Sequence, residues 1–374
     1  MPGKLSILQI ISKGGIESGG SFQALQLAQG LAGRGHRTTL ITRASPECEE
    51  SARKAGVRLR TVPLRNEADL FSMFALYKIM KEEKTDVVHV HKGLAHTLAY
   101  LPSRLARVPA FVANRGVIFP LDMFNRVKYR WKGVGAVVAV AEEIRELLIT
   151  KGKLLPEKVV TIYGGTDLNR FDWRISGKRL RREFDIPPDS PVIGMIANIR
   201  TWKGHDCFLS ALYPLLERYD KLTVVIVGEN RNNHAAALMR EVRDKGFHNR
   251  IIFTGYREDI PEILAALDFS VISSYDGEGL TGVIRESLAM KKPVISTRVG
   301  GNAEIIDHGI NGLLVPPRDV PALREAMEHL TTNPGLLKEM GEQGEKLVKQ
   351  RFSLAVRLDR MEELYYRLIE EAAL

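Results

Sequence analysis

Three glycine-bearing segments carry the side chains best suited to phosphate or sugar. In segment 198–206, Asn-Ile-Arg-Thr-Trp-Lys-Gly-His-Asp, Arg200 and Lys203 stand three residues apart, between an apolar run and a helical pattern. A guanidinium fork and an ammonium point charge at a strand's end can converge on one pyrophosphate. Segment 275–286, Tyr-Asp-Gly-Glu-Gly-Leu-Thr-Gly-Val-Ile-Arg-Glu, places Glu278 in a loop and Glu286 about one turn into the following helix. Gly277, Gly279 and Gly282 leave backbone N–H groups open to a ligand's oxygens. Two carboxylates so spaced accept hydrogen bonds from two hydroxylated parts of one ligand, which suits a sugar. Glu286 alone is also explained as an acidic residue favourable to a helix's first turn. That reading leaves the three glycines around Glu278 unexplained.

The third segment, 13–21, reads Lys-Gly-Gly-Ile-Glu-Ser-Gly-Gly-Ser. It is either an anion-approaching loop or a tight strand-to-helix turn. The dinucleotide pattern G-x-G-x-x-G cannot be laid on it, and Ser21 stands where a Walker A lysine would follow Gly15 and Gly20. Ordinary Rossmann oxidoreductases and P-loop kinases therefore lose ground. The chain has no Asp-x-Asp, so a metal bridged to a diphosphate by paired aspartates is not supported. His89 and His91 make a poor metal pair by themselves; His91, at a strand's carboxyl end, is better placed as a cleft residue near an acceptor. Cys48 and Cys207 are too few for a disulfide framework or a four-thiolate site, which fits a reducing cytosol.

The elements that must position these residues alternate regularly. Apolar β-rich runs at 5–11, 38–42, 57–61, 87–90, 110–113, 136–140 and 159–162 are interleaved with helical patterns at 22–34, 70–84 and 95–107. A second series has strands at 191–197, 223–227, 251–254, 269–273, 294–296 and 313–315, with helices at 206–218, 235–245 and 283–290. The basic, proline-containing stretch 172–190 interrupts the pattern as an inter-domain connection. The expected fold class is α/β: two doubly wound, Rossmann-like parallel sheets facing a cleft, with ligands at the strands' carboxyl ends. The 374 residues, 44% hydrophobic and 26% charged, suit two globular domains and exclude disorder and coiled coil. No apolar run reaches the ~18 residues of a membrane span, and residues 1–11 read as a first strand rather than a signal peptide.

Taken together, these segments resemble the retaining, GT-B fold glycosyltransferases of family 4, the group 1 glycosyltransferases, over essentially the whole chain. The resemblance rests on Glu278 and Glu286 as an E-x7-E signature, Arg200 and Lys203 as an R-x-x-K clamp running on through Gly204-His205-Asp206, Gly19-Gly20, Arg34-Gly35-His36, the run 86–91, Val227-Gly228, and Lys292-Pro293-Val294-Ile295. It implies an acceptor-binding domain at 1–172, a nucleotide-sugar-binding domain at 173–352, and a C-terminal helix, 353–374, packing back toward the first. It further implies that Arg200 and Lys203 neutralise the departing diphosphate and that Glu286 binds the ribose hydroxyls. Glu278 would hold the donor sugar, the backbone of Gly279, Leu280 and Thr281 would complete its pocket, and Gly20 would let the first loop close on the phosphates. The donor is then a nucleotide-diphosphate sugar, with no cofactor and no metal, and transfer retains anomeric configuration.

Two departures from the family stand out. Where many members have Thr-x-His-Gly, this chain has Asn114-Arg115-Gly116, so Arg115 would favour an anionic group on donor or acceptor. The aromatic and glycine usual after Glu-Gly are here Leu280 and Thr281.

The net charge of +9 is uneven: residues 1–172 hold 26 Lys+Arg against 16 Asp+Glu, whereas 173–374 hold 28 against 29. A basic first half suggests an anionic membrane surface, a nucleic acid or an acidic substrate. In segment 124–132, Phe124, Val127 and Trp131 fall near one helical face flanked by Arg126 and Arg130. That suits a helix resting on anionic lipid, a segment binding RNA by stacking and phosphate contact, or an ordinary helix with its apolar stripe turned inward. The resemblance makes membrane the better functional option, at the inner face of the cytoplasmic membrane, and nucleic acid is not expected. The leading reading is a cytoplasmic, peripherally membrane-associated enzyme of surface-polysaccharide or lipopolysaccharide synthesis acting on a glycan or lipid-linked acceptor. The alternatives are a GT-B sugar-nucleotide epimerase, a glycan phosphorylase, or a non-catalytic sugar-nucleotide or nucleic-acid binding protein.

Overall fold

The computed structural model describes residues 3–12, 19–118, 123–229 and 233–374. The chain divides into two compact units, Met1–Gly165 with Leu354–Leu374, and Thr166–Ser353.

Among the described residues, the first unit holds β1 (Ser6–Ile10), β2 (Arg37–Thr42), β3 (Arg58–Thr61), β4 (Val87–Val90), β5 (Ala110–Arg115), β6 (Ala136–Ala139) and β7 (Val159–Thr161). They form one sheet in the order β3-β2-β1-β4-β5-β6-β7, every pair parallel. All residues of β1 and β4 are buried, as expected for parallel strands covered on both faces, so they read as continuous apolar runs rather than alternating ones. The helix Leu354–Ala373 turns Leu358, Met361, Tyr365 and Leu368 onto this sheet, beside Leu27 and Leu31 of the helix Gly19–Gly33. That is the three-and-four spacing of an amphipathic face, and each fully buried aliphatic contributes about 1.5–3 kcal/mol. Arg34 pairs with Asp359 at 2.7 Å and His36 Nε2 lies 2.7 Å from Glu362 Oε1, fixing the same helix at its rim.

The second unit holds β8 (Val192–Ile196), β9 (Thr223–Val227), β10 (Ile251–Gly255), β11 (Phe269–Ile272), β12 (Val294–Thr297) and β13 (Gly312–Val315). Their order is β10-β9-β8-β11-β12-β13, again all parallel. Both units are thus doubly wound, as expected. Strand order reverses between β1 and β4 in the first unit and between β8 and β11 in the second. At such a point the connecting segments leave toward opposite faces and open a crevice at the strands' carboxyl ends.

The chain enters the second unit at Thr166 rather than at 173. Thr166 N–H donates to Phe352 O at 2.9 Å, Phe171 is buried, and Arg170 Nη2 donates to Glu258 O at 3.2 Å. The stretch 172–190 is likewise no loose connection. Leu180 and Ile186 are buried, and the helix Lys178–Glu183 is bound by Arg257, whose guanidinium reaches Glu183 at 2.5 Å and Asp259 at 2.7 Å. Its charged residues resemble a linker in sequence because their partners, Asp259 for Arg179 and Arg257 for Glu183, lie 80 and 74 positions downstream.

Counted over these units, the first holds 28 Lys+Arg against 19 Asp+Glu and the second 26 against 26. The whole excess of +9 therefore belongs to the first unit. The amphipathic reading of 124–132 does not hold. The helix there, Met123–Tyr129, ends before Trp131, which packs on Tyr100 and His96. Val127 faces outward, and Lys128 is buried against Glu67 at 2.5 Å. The side chain of Phe124, like residues 13–18 of the first glycine segment, lies outside the described residues. No described helix is long and apolar enough to cross a membrane.

Candidate functional site

The two segments singled out in the second half follow β8 and β11, the strands flanking its switch point. After β8 the chain makes a single 3-10 turn, Thr201–Lys203, and reverses at Gly204 with φ +71° into the helix His205–Arg218. A Cβ on Gly204 would lie 2.1 Å from Ser273 O, so both the left-handed backbone and the close approach of the β11 loop demand glycine. Ser273 Oγ donates to Gly204 O at 2.8 Å, and Tyr275 N–H to Trp202 O at 2.9 Å, locking the two loops together.

This contact brings Lys203 and Glu278 together across 75 positions of sequence. Lys203 Nζ lies 2.5 Å from Glu278 Oε1, with both side chains largely buried, and Ser274 Oγ donates to the same carboxylate oxygen at 2.6 Å. Lys203 also rides over the Trp202 ring, 4.3 Å from its centroid. Arg200 is exposed at the mouth of the loop. The Glu278 backbone is held from below: a Cβ on Gly300 (φ +56°) would meet Glu278 O at 2.1 Å, and Gly301 N–H donates to Gly279 O at 2.8 Å. Leu280 is half-buried. The Thr281 N–H donates to Asn302 Oδ1 at 3.3 Å, which commits that amide to the protein, and Asn302 is in turn fixed by Ser296 Oγ at 3.2 Å. Ser274 and Asn302 carried no signal in the sequence, being ordinary polar residues whose roles arise from contacts with the neighbouring loops.

Glu286 sits in the first turns of the helix Gly282–Ala289. Burial pushes its carboxyl up, against the pull of Arg285 and Arg170. Arg285, not singled out by sequence, is 2% exposed, and its Nε and Nη1 have no hydrogen-bond partner. Its burial lowers the guanidinium to about 10.

In the first unit, His91 and Arg115 lie at the ends of adjacent strands, His91 just past β4 and Arg115 closing β5. His91 is buried, stacked on His89 at 4.3 Å, and its Nε2 is 2.6 Å from Gln9 Oε1. Burial, with Arg357 and Lys92 nearby, holds it down to about 3, so it is neutral at physiological pH. Its ring is oriented from behind by a chain in which Gln9 Nε2 donates to Tyr365 Oη at 3.3 Å, 2.7 Å from His89 Nδ1. Arg115 Nε donates to Val117 O at 3.0 Å, and its guanidinium bonds the Tyr129 hydroxyl. Gly20, at the start of Gly19–Gly33, is exposed with open space where a Cβ would stand.

Two consecutive doubly wound parallel-sheet units make up the GT-B fold expected from the sequence. Residues 190–333 match the family Glycosyl transferases group 1, and residues 18–170 match Glycosyltransferase Family 4. The chain belongs to the group 1 glycosyltransferases. It is 26% identical over 318 residues to the Escherichia coli UDP-Gal:alpha-D-GlcNAc-diphosphoundecaprenol alpha-1,3-galactosyltransferase, covering 80% of each chain. It is 24% identical to the alpha-D-kanosaminyltransferase of Streptomyces kanamyceticus, over 91% of this chain and 97% of that one. Its fold matches a glycosyltransferase structure from Rickettsia africae ESF-5 with a TM-score of 0.90 at 24% identity, covering 98% and 99%. The protein is thus a glycosyltransferase; the epimerase alternative finds no support in these matches.

Proposed function

We propose that the second unit binds a nucleoside-diphosphate sugar and transfers its sugar, with retention, to a glycan or lipid-linked acceptor served by the first unit. The observation that carries this reading is the Lys203–Glu278 pair at the switch point. Here Lys203 and Glu278 satisfy each other's charge. A bound donor supplies phosphate oxygens for Lys203 and Arg200 and sugar hydroxyls for Glu278, so the pair separates into the two contacts a nucleotide sugar requires. As the bond from the anomeric carbon to the diphosphate breaks, negative charge grows on the leaving oxygen, and fixed cations stabilise that charge more than the ground state. The acceptor hydroxyl attacks on the same face and its proton passes to the departing phosphate oxygen, so no protein base and no metal is needed. Glu286 takes the ribose hydroxyls, the backbone at Gly279 and Leu280 lines the sugar, Gly20 lets the first loop approach the phosphates, and His91 and Arg115 face the acceptor. A thermal-shift panel of nucleotide sugars tests the donor: one of them should raise the melting temperature, and Glu286→Ala should abolish the shift. Inversion at the anomeric carbon, read by NMR of the product, would refute the mechanism.

The acceptor is proposed to be lipid-linked and presented at the cytoplasmic face of an anionic membrane, with the enzyme docked peripherally. The +9 of the first unit supports this, as does an exposed surface on the helix Leu70–Glu82, where Leu70, Phe71 and Phe74 are 74%, 66% and 66% exposed. Lys78 and Lys81, also exposed, continue the same face. This is a different helix from the one the sequence pointed to. Flotation with anionic liposomes should recover the wild-type protein and lose Phe71→Ser/Phe74→Ser; equal recovery of both, or equal recovery with neutral lipid, would refute it.

A further inference from the structure

The helix Gly282–Ala289 carries a buried cation that the donor-site reading does not use. Arg285 is 2% exposed, its Nε and Nη1 have no hydrogen-bond partner, and no ion pair joins it to its neighbour Glu286. Side chains on a helix lean toward its amino end. Accordingly, Arg285 Nη2 and Glu286 Oε1 approach one place, 3.7 Å and 3.6 Å from where a Cβ on Gly282 would stand. The two atoms therefore lie within roughly 7 Å of each other, but beyond ion-pair reach. Thr281 Oγ1, at the cap of the same helix, is also buried without a partner.

Guanidinium only donates and carboxylate only accepts. A group that satisfies both must accept from one and donate to the other, as a hydroxyl does; with bent hydrogen bonds of about 2.7–2.9 Å on each side, one hydroxyl spans roughly 4.5–5 Å and two adjacent hydroxyls span more. A phosphate would meet the carboxylate as a like charge, and an ammonium would meet the guanidinium as one. We propose that Arg285 and Glu286 together form a reader of a vicinal diol, the 2′- and 3′-hydroxyls of the donor's ribose, and that Arg285 makes this enzyme discriminate ribonucleotides from deoxyribonucleotides. The inference rests on the donor-site reading and adds Arg285 to it as a specificity-determining residue.

The test is calorimetric binding of UDP, GDP and ADP, and then of the 2′-deoxy and 3′-deoxy forms of whichever binds most tightly. For the wild-type protein, loss of at least one hydroxyl should weaken binding about 10- to 100-fold, the range for a hydrogen bond to a charged group. In Arg285→Met that ratio should fall by about tenfold, while the ribonucleotide still binds through Glu286 and the phosphate cations. Arg285→Lys, which keeps charge and stem but not the planar fork, should also lower the ratio and serves if the methionine variant does not fold. Binding of ribo- and deoxy- forms equally by the wild type, or an unchanged ratio in both variants, would overturn the role of Arg285 and leave the donor site standing. Failure of all three diphosphates to bind would instead overturn the donor site, and this inference with it.

Discussion

Replacing Arg285 by methionine should stabilise the ligand-free protein, the reverse of the usual outcome for a buried substitution. The wild-type guanidinium is 2% exposed, with Nε and Nη1 unpartnered, and burial is the chief cause of its fall to about 10, opposed only in part by Glu286. At about 1.4 kcal/mol for each pH unit of that fall, the folded state carries the charge at a penalty of roughly 3 kcal/mol. The penalty applies at every pH below about 10, where both folded and unfolded chains are protonated, and shrinks as the pH rises through the folded value toward that of the unfolded chain. Methionine has a similar unbranched stem and no charge, but it is shorter, and Glu286 loses its nearest positive neighbour. The expected net gain is roughly 1–3 kcal/mol near pH 7. For a unit the size of Thr166–Ser353, that corresponds to a melting temperature higher by about 3–9 °C. Urea and thermal unfolding of the two proteins without nucleotide, at pH 7 and again above pH 10, measure it; the gap should narrow at the higher pH. A variant less stable than wild type by more than about 1 kcal/mol would show that the guanidinium is satisfied in the folded chain and would refute the reasoning.

Lys203→Met should leave Glu278 largely buried beside Ser274 with no cation, destabilising by about 3 kcal/mol, and most of that loss should return in Lys203→Met/Glu278→Gln; urea midpoints of the single and double variants check this. Stability should also fall on acidification. Burial lowers His91 and His96 to about 3, so the folded protein keeps them neutral while the unfolded chain takes up protons below about pH 6.5. The stability they confer is complete above that pH and is lost as the pH falls toward the folded values, about 2 kcal/mol per histidine by pH 5. Urea unfolding across pH 5–7 measures the slope, and His96→Phe should make it shallower.

Much of the fold was legible because strand-forming apolar runs and helical spacing are local properties. All thirteen strands among the described residues fall within a residue or two of the runs read from the sequence. The helices Pro46–Lys54, Glu142–Thr150, Val320–Thr332 and Pro334–Leu347 were not among the elements read, the first being dominated by charged residues with only Cys48 and Ala52 buried. The misread segments share one cause. In 172–190 and 124–132, charge and aromatic spacing were read as surface features, whereas Arg179 and Glu183 are engaged by Asp259 and Arg257, Lys128 by Glu67, and Trp131 by Tyr100.

The sequence by itself determined the βα alternation, the placement of Arg200, Lys203, Glu278 and Glu286 in loops or helix starts after strands, and the concentration of positive charge in the first half. Those follow from residue order and near-neighbour spacing. Only the tertiary structure decided that the β8 and β11 loops meet at a switch point, that Lys203 is closed onto Glu278, and that Arg285 is a buried cation beside Glu286 with its Nε and Nη1 unpartnered. The physical reason is that what a charge contacts depends on which strands become neighbours in the sheet, and here β8 pairs with β11, some 75 residues later in the chain.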